Sequence, residues 1–219
     1  MSSKNPLPTA ALVISGLAVA AVVMVATSLR RPEPPSFAPT VAEPEEVEEA
    51  RVGPVTFTVD SSDPERWIFF DFSRGAVVEA PGPLGWDLAI RRFEIIANGG
   101  EGFQGVGGAA DLGAVAFDSV RSAPAEGWAV TQARRDSVNE ALSGWYDYGF
   151  ASHLLTPKPR VYAVRTADGR YAKLEILSYY CPGALPGCLT FRYVYQGRGG
   201  TDFTTGAPPG SEEASGSPR

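Results

Sequence analysis

The sequence predicts a mainly β fold, an antiparallel β-sandwich or flattened barrel tethered to a single N-terminal transmembrane α-helix. The 219-residue chain has a long apolar run near its start, then a proline- and glutamate-rich stretch, then many short alternating segments separated by glycine and proline. Short strands with abundant turn residues are typical of sandwiches and barrels. We divide the chain into a cytoplasmic N-terminus (1–7), a transmembrane helix (8–29), a linker (30–54), a β domain (55–197) and a low-complexity C-terminal tail (198–219).

The apolar run at residues 8–29 contains no charged side chain. A helix of about 22 residues rises about 33 Å, which is enough to cross the hydrocarbon core of a lipid bilayer. A cleaved secretory signal is the alternative, because Lys4 precedes the run and small residues lie near Ser28. The apolar cores of such signals are shorter, about 7–15 residues, so we expect an uncleaved anchor.

Gly16 and Ala20 lie four residues apart within this run. Small residues at that spacing let the backbone of a second helix approach closely. The pair predicts a helix-packing interface with another membrane subunit, although alanine-rich spans also produce such pairs by chance.

The segments that flank the β domain are of low complexity. In the linker, 30–54, prolines are spaced through a glutamate-rich run, which favours an extended, solvated polyproline II tether. The tail, 198–219, is rich in glycine, serine and proline, and we expect it to be mobile. Much of the formal net charge of −6 comes from the acidic linker, so no nucleic-acid partner is expected.

The β domain shows alternating or aromatic strand patterns bounded by turn residues. A glycine-rich loop, 101–114, interrupts them, and its GxGxxA form is a coincidence because no βαβ unit surrounds it. The one soluble helix that the sequence predicts is Thr131–Leu142. The predicted strands are 55–60, 67–72, 76–80, 86–97, 161–166, 171–180 and 189–196.

Cys181 and Cys188 lie in the segment CPGALPGC between two predicted strands. The prolines and glycines bend this segment back, so a disulfide is sterically reasonable, whereas zinc would need four ligands and no further cysteine exists. A disulfide implies an oxidising compartment.

Because the charges flanking the apolar run are nearly balanced, the cysteines decide the orientation of the chain in the membrane. We expect a single-pass protein of a bacterial inner membrane, with its N-terminus in the cytoplasm and its β domain in the periplasm.

Two separated motifs resemble the HmuY-like family. The first is WDLAIRRFEIIANGG at residues 86–100, and the second runs from GWYDYGFASHLL at residue 144 to the strand LTFRYVYQ that ends at residue 196. The resemblance covers about residues 55–197 and implies an all-β extracytoplasmic domain. Its best-known members capture haem through two axial side chains, usually histidines and in some relatives methionines, and they are commonly lipid-anchored.

The possible haem ligands of this chain depart from that pattern. His153 is the one histidine, and the two methionines are Met1 and Met24. One domain therefore cannot supply two histidines or two methionines to the iron. His153 is either an ordinary loop residue or one ligand of a weaker haem site that also uses a tyrosine: Tyr146, Tyr148 or Tyr179.

The sequence does not favour an enzyme. No nucleophile elbow is present, and one histidine does not allow a convincing Ser-His-Asp set. Asp87, beside Trp86, is interpreted as a structural hydrogen-bonding residue that pairs with Arg91 or Arg92.

Two functional hypotheses follow. In the first, the protein is a non-enzymatic accessory subunit of a larger bacterial membrane complex, photosynthetic or respiratory, without a cofactor. Its partners are other membrane subunits, contacted through the helix and through the periplasmic domain. On that domain we choose the strand faces around Trp67, Arg91, Arg92 and Tyr193 as the interface, although any of these residues can instead be core or ordinary surface. In the alternative, the protein binds haem through His153.

Overall fold

The computed structural model of the chain describes residues 9–29, 33–45, 51–133 and 137–204. These residues divide into two compact units. The smaller unit contains the helix α1 and the segment Tyr148–Leu154, and the larger one contains the described residues of Pro34–Asp147 and those from Leu155 onward. The predicted cytoplasmic residues 1–7 lie outside the described residues.

The helix α1 spans Thr9–Leu29, within the predicted apolar run. Among the described residues, no helix has both the length and the apolar character required to cross a membrane. The transmembrane span therefore stays a prediction. The same holds for helix packing through Gly16 and Ala20, which are both exposed.

The larger unit is built from short strands, joined by a 3₁₀ helix at Phe117–Ser119 and a one-turn helix α2 at Glu140–Ser143. In chain order, the described strands are β1 Arg51–Asp60, β2 Ile68–Asp71, β3 Ala76–Val78, β4 Leu88–Arg91, β5 Glu94–Ala97, β6 Gly108–Asp111, β7 Thr131–Gln132, β8 Val138–Asn139, β9 Tyr146–Tyr148, β10 Leu155–Pro157, β11 Val161–Arg165, β12 Tyr171–Cys181 and β13 Leu185–Gln196.

Two antiparallel sheets form the body of the domain. The larger sheet has five strands in the order β1-β13-β12-β11-β6, and the smaller has four in the order β3-β2-β4-β5. Strands β9 and β10, and strands β7 and β8, form two further two-stranded ribbons. The predicted mainly antiparallel β fold is therefore confirmed.

Aromatic side chains join the two sheets. Phe70 of β2 lies with its ring centroid 4.9 Å from that of Phe57 in β1 and 5.2 Å from that of Phe191 in β13. Tyr193 lies two residues further along β13 and packs 5.2 Å from Phe72. Aromatic pairs at these distances add to the free energy gained by burying their area. The alternation read from the β13 sequence therefore places an aromatic row in the core.

Asp87, immediately before β4, links the same two sheets by hydrogen bonds. One carboxylate oxygen accepts from the backbone N–H of Phe72 at 2.9 Å, just after β2, and the other accepts from that of Ala167 at 2.8 Å, in the turn between β11 and β12. The structural role predicted for Asp87 is therefore correct, but the predicted arginine partner is wrong. Arg91 pairs with Glu94 at 2.7 Å, and Arg92 donates to the carbonyl of Ser62.

The segment 86–97, predicted as one long strand, folds instead into the hairpin β4–β5. Arg91 lies opposite Glu94 in its register. The turn needs a left-handed residue, and Arg92 takes this role with a φ of 55°. Because arginine rarely adopts that conformation, the local sequence did not mark the turn.

The predicted helix Thr131–Leu142 is also wrong. The structure has β7, β8 and then α2 in this region, with residues 134–136 outside the described part. Buried Thr131 donates its hydroxyl to the carbonyl of Ala97 and accepts from the N–H of the same residue. Asn139 caps α2 through the N–H of Ala141. Hydrogen bonds to β5 thus override a helical propensity that is weak by itself.

The flanking segments are more ordered than the sequence predicts. Within the linker, the backbone N–H of Phe37 donates to Tyr180 at 2.9 Å, and that of Thr40 donates to Thr58 at 2.9 Å. The part of the predicted free tether around Phe37 and Thr40 is therefore attached to β12 and β1. Residues 30–32 and 46–50 of the linker lie outside the described residues.

The start of the predicted tail is part of the domain. Phe203 is buried, and its N–H donates to Arg121 at 2.7 Å. Its side chain joins a second core cluster on the outer face of the large sheet, with Phe117, Val161 and Val194. Phe203 thus helps to cover the second face of β13, so the folded domain continues beyond residue 197. The rest of the tail, 205–219, lies outside the described residues.

Replacing Phe203 by alanine tests this attachment. Removing a buried phenylalanine ring leaves a cavity, so we expect Phe203→Ala to lower the free energy of unfolding by about 3–5 kcal/mol in urea titrations. Thr201→Ala is the control, because the Thr201 side chain is exposed and its backbone bond to Ala123 remains. Equal stability of the two variants would contradict the assignment of Phe203 to the core.

Asp87 makes stability depend on pH. Burial, helped by the nearby charge of Asp71, raises the pKa of Asp87 to about 7, although its two backbone hydrogen bonds oppose the shift. Because the folded chain holds this proton more tightly than the unfolded chain does, the free energy of unfolding decreases as pH rises from about 4 to about 7, by at most about 1.4 kcal/mol per pH unit.

The comparison of wild type with Asp87→Asn in urea titrations across that pH range isolates this contribution. Asparagine does not titrate, so we expect this component of the pH dependence to disappear. Asparagine also offers one acceptor oxygen to two N–H donors, which lowers stability by about 1–3 kcal/mol. An Asp87→Asn variant with the wild-type pH dependence would show that Asp87 is not the responsible group.

Candidate functional site

His153 lies in the segment Tyr148–Leu154, which connects β9 to β10. The segment is closed by its own backbone, since the N–H of Gly149 donates to Leu154 at 2.8 Å and the N–H of His153 donates to Gly149 at 2.6 Å. His153 has a φ of 55°, in the left-handed region that histidine adopts less readily than glycine. Such backbone conformations recur where a side chain is held for a function.

The segment carries an exposed cluster of rings, formed by Tyr148, Phe150 and His153, which we call the aromatic tip. Phe150 is 86% exposed and Tyr148 is 54% exposed. The ring of His153 lies 5.9 Å from that of Tyr148 and 6.5 Å from that of Phe150. Large apolar side chains grouped on a surface commonly mark a binding site.

Tyr148 and His153 are joined by a hydrogen bond. The tyrosine Oη lies 2.5 Å from Nδ1 of the imidazole, and both side chains are exposed. This bond leaves Nε2 as the ring nitrogen that can meet a ligand. Histidines that bind metals characteristically use one ring nitrogen for the metal and the other for such a hydrogen bond.

The three tyrosines considered as partners of His153 have different environments. The structure brings Tyr148 to His153. The hydroxyl of Tyr179 is buried and has no hydrogen-bond partner among the described residues, and desolvation raises the pKa of Tyr179, so this group does not face a ligand from solvent. Tyr146 is half-buried, with its ring 4.9 Å from that of Trp145 and 5.7 Å from that of Phe93.

A larger groove of about 590 Å³ lies elsewhere, along β2 and β3. Its wall includes Trp67, Phe69 and Val77, with the charged side chains of Arg66 and Glu79. No histidine, methionine, cysteine or tyrosine lines it. It therefore has the volume for a sizeable ligand but not the donor groups that bind haem iron.

The strand faces predicted as an interface are not one surface. Tyr193 lies in the core, which is the alternative that the sequence left open for it. Trp67 is half-buried beneath Arg91, whose guanidinium carbon lies 4.6 Å from the ring centroid. The packing between the two sheets, which the strand pattern did not reveal, accounts for the position of Tyr193.

The predicted disulfide is present between Cys181 and Cys188, where it closes the hairpin of β12 and β13. In the part of the chain that the structure describes, no three His, Cys, Asp or Glu side chains lie close enough together to hold a metal ion.

The glycine-rich loop has a packing role. Gly105 and Gly107 both lie against the backbone carbonyl of Asn98, where any Cβ would collide with it. The side-chain amide of Asn98 donates to the carbonyls of Pro83 and Trp86, each at 2.9 Å. The glycines thus allow close backbone approach to the turn after β5, in agreement with the rejection of a dinucleotide loop.

Sequence reasoning found His153 but missed Phe150 and did not choose among the tyrosines. The signal was present in the order of residues 145–153, WYDYGFASH, where the histidine closely follows four aromatic residues. Alternation along β9 does not reveal that Tyr148 turns toward His153, because the bond depends on the turn that follows.

Comparison with known structures supports the fold. A putative lipoprotein from Bacteroides fragilis is 21% identical, with a TM-score of 0.54 and coverage of 68% of this chain and 91% of that chain. An apo HmuY analogue from Tannerella forsythia is 20% identical, with a TM-score of 0.52 and coverage of 69% of this chain and 98% of that chain. A putative HmuY-like haem-binding protein from Bacteroides vulgatus is 24% identical, with a TM-score of 0.52 and coverage of 69% of this chain and 98% of that chain. These likenesses show the fold.

The sequence comparisons identify the family. No curated protein matches the chain significantly. The family model described as HmuY protein matches residues 63–193, which is more than half of the chain and includes both motifs over nearly their whole length. The chain therefore belongs to the HmuY family.

Proposed function

We propose that this protein is an extracytoplasmic haem-binding protein and that the aromatic tip holds the haem. The observation that carries the proposal is the exposed cluster of Tyr148, Phe150 and His153, in which one imidazole nitrogen is hydrogen-bonded and the other is left for iron. Membership of the HmuY family and the likeness to a putative haem-binding protein from Bacteroides vulgatus support this ligand class.

The chemistry of the tip suits a porphyrin. The flat apolar face of haem gains free energy when it covers exposed aromatic rings, and Phe150 offers most of its side chain for this contact. Imidazole is a strong axial ligand for haem iron. We therefore assign Nε2 of His153 as the iron ligand, with Phe150 and Tyr148 packing beside the macrocycle.

The proposed location is outside the cytoplasm. The Cys181–Cys188 disulfide is typical of oxidising compartments, and the putative lipoprotein among the similar structures supports the same side of the membrane.

We propose a binding protein and not an enzyme, since the tip is an exposed ligand-contacting surface and not an enclosed site. The hypothesis of a subunit in a photosynthetic or respiratory complex has no support from the comparisons, and contacts with other membrane subunits stay a prediction.

Titration with hemin tests the proposal. We expect the wild-type protein to shift and sharpen the Soret absorption of micromolar hemin with a saturating stoichiometry of one. His153→Ala removes the iron ligand, so we expect it to lose the Soret shift and to weaken binding by at least tenfold.

Thr156→Ala is the matched control for this titration. Thr156 lies in β10, close in sequence to the tip, and its side chain is exposed. We expect it to bind hemin as the wild type does, and circular dichroism should show the same β spectrum for all three proteins. A flat titration of the wild type, or an unchanged Soret shift in His153→Ala, would refute the proposed site.

A further inference from the structure

We infer that Tyr148 is a positioning residue for haem binding: in the tautomer in which Tyr148 accepts a hydrogen bond from Nδ1–H of His153, the lone pair of Nε2 is left free for iron. This inference rests on the proposed function. It adds a role for a side chain other than the proposed iron ligand.

The two side chains are held at the two ends of one small turn. Tyr148 is the last residue of β9, and His153 is fixed by the bond from its N–H to the carbonyl of Gly149. The hydroxyl of Ser152 reaches the same carbonyl at 3.4 Å. The contact between Oη and Nδ1 is therefore supported by the backbone of the segment itself.

The direction of this hydrogen bond decides whether His153 can bind a metal. Neutral imidazole carries one proton, so one nitrogen donates and the other has a free lone pair. When Nδ1–H donates to Tyr148, the lone pair is on Nε2 and faces the ligand. When the phenol donates instead, Nε2 carries the proton and cannot coordinate iron. Iron binding at Nε2 therefore selects the arrangement in which Tyr148 is the acceptor, and Tyr148 in turn stabilises that tautomer.

Tyr148 acts through His153 and does not replace it as the ligand. Binding of iron through Nε2 would leave the hydrogen bond between Oη and Nδ1 intact. Tyr148 would then be the outer partner that orients a metal-binding histidine.

Tyr148→Phe tests the inference, because it keeps the ring and removes the acceptor. Loss of such outer partners typically weakens metal binding by about 10–100-fold, and we expect a loss of that size for hemin. The bond also makes the imidazole a stronger electron donor to iron. We therefore expect Tyr148→Phe to lower the iron–histidine stretching frequency in resonance Raman spectra of the ferrous complex and to raise the reduction potential of the bound haem.

Tyr146→Phe is the matched control, since it makes the same chemical change two residues earlier, at a ring packed on Trp145. We expect Tyr146→Phe to bind hemin with wild-type affinity and to keep the wild-type iron–histidine stretching frequency and reduction potential. If hemin binds to wild type and not to His153→Ala, while Tyr148→Phe matches wild type in all three measurements, the inference fails and the proposed function stands. If Tyr148→Phe abolishes binding and His153→Ala retains it, Tyr148 is itself the ligand and the inference is refuted. If the wild type binds no hemin, both the proposed function and the inference fail.

Discussion

The fold depends on the attachment of two sheets at one buried carboxylate. Asp87 accepts from the N–H of Phe72 in one sheet and from that of Ala167 in a turn of the other, so each of its oxygens satisfies a donor that would otherwise be buried without a partner. The adjacent aromatic core is centred on Phe70. Its burial supplies most of the free energy of folding, and the two hydrogen bonds of Asp87 link the smaller sheet to the turn between β11 and β12.

The aromatic tip is a short segment closed by its own hydrogen bonds, and the side chains of Tyr148 and Phe150 are exposed. Large apolar side chains that are exposed together commonly belong to a binding site. The proposed haem would account for their position beside the one histidine, because it has both a flat apolar face and a metal that imidazole binds.

Much of the fold was readable before any coordinates. The alternating pattern predicted the strand that ends at Gln196, and the proline–glycine segment between Cys181 and Cys188 predicted a closed hairpin. Errors occurred where distant residues decide the structure. Arg92 adopts a left-handed turn that its side chain does not favour, and Thr131 is held by Ala97 instead of continuing a helix. Neither partner is visible within a local window of sequence.

By itself the sequence determined the fold class, the disulfide, the resemblance to the family and the presence of a single histidine. These follow from periodicity, composition and motif order, which are local properties of the chain. Only the tertiary structure decided that Asp87 bonds backbone amides and not arginines, that Phe203 belongs to the core, and that Tyr148 is the tyrosine joined to His153. Each of these depends on which groups meet across a turn or between sheets, and hydrogen bonding and close packing depend on distance in space, not on separation along the chain.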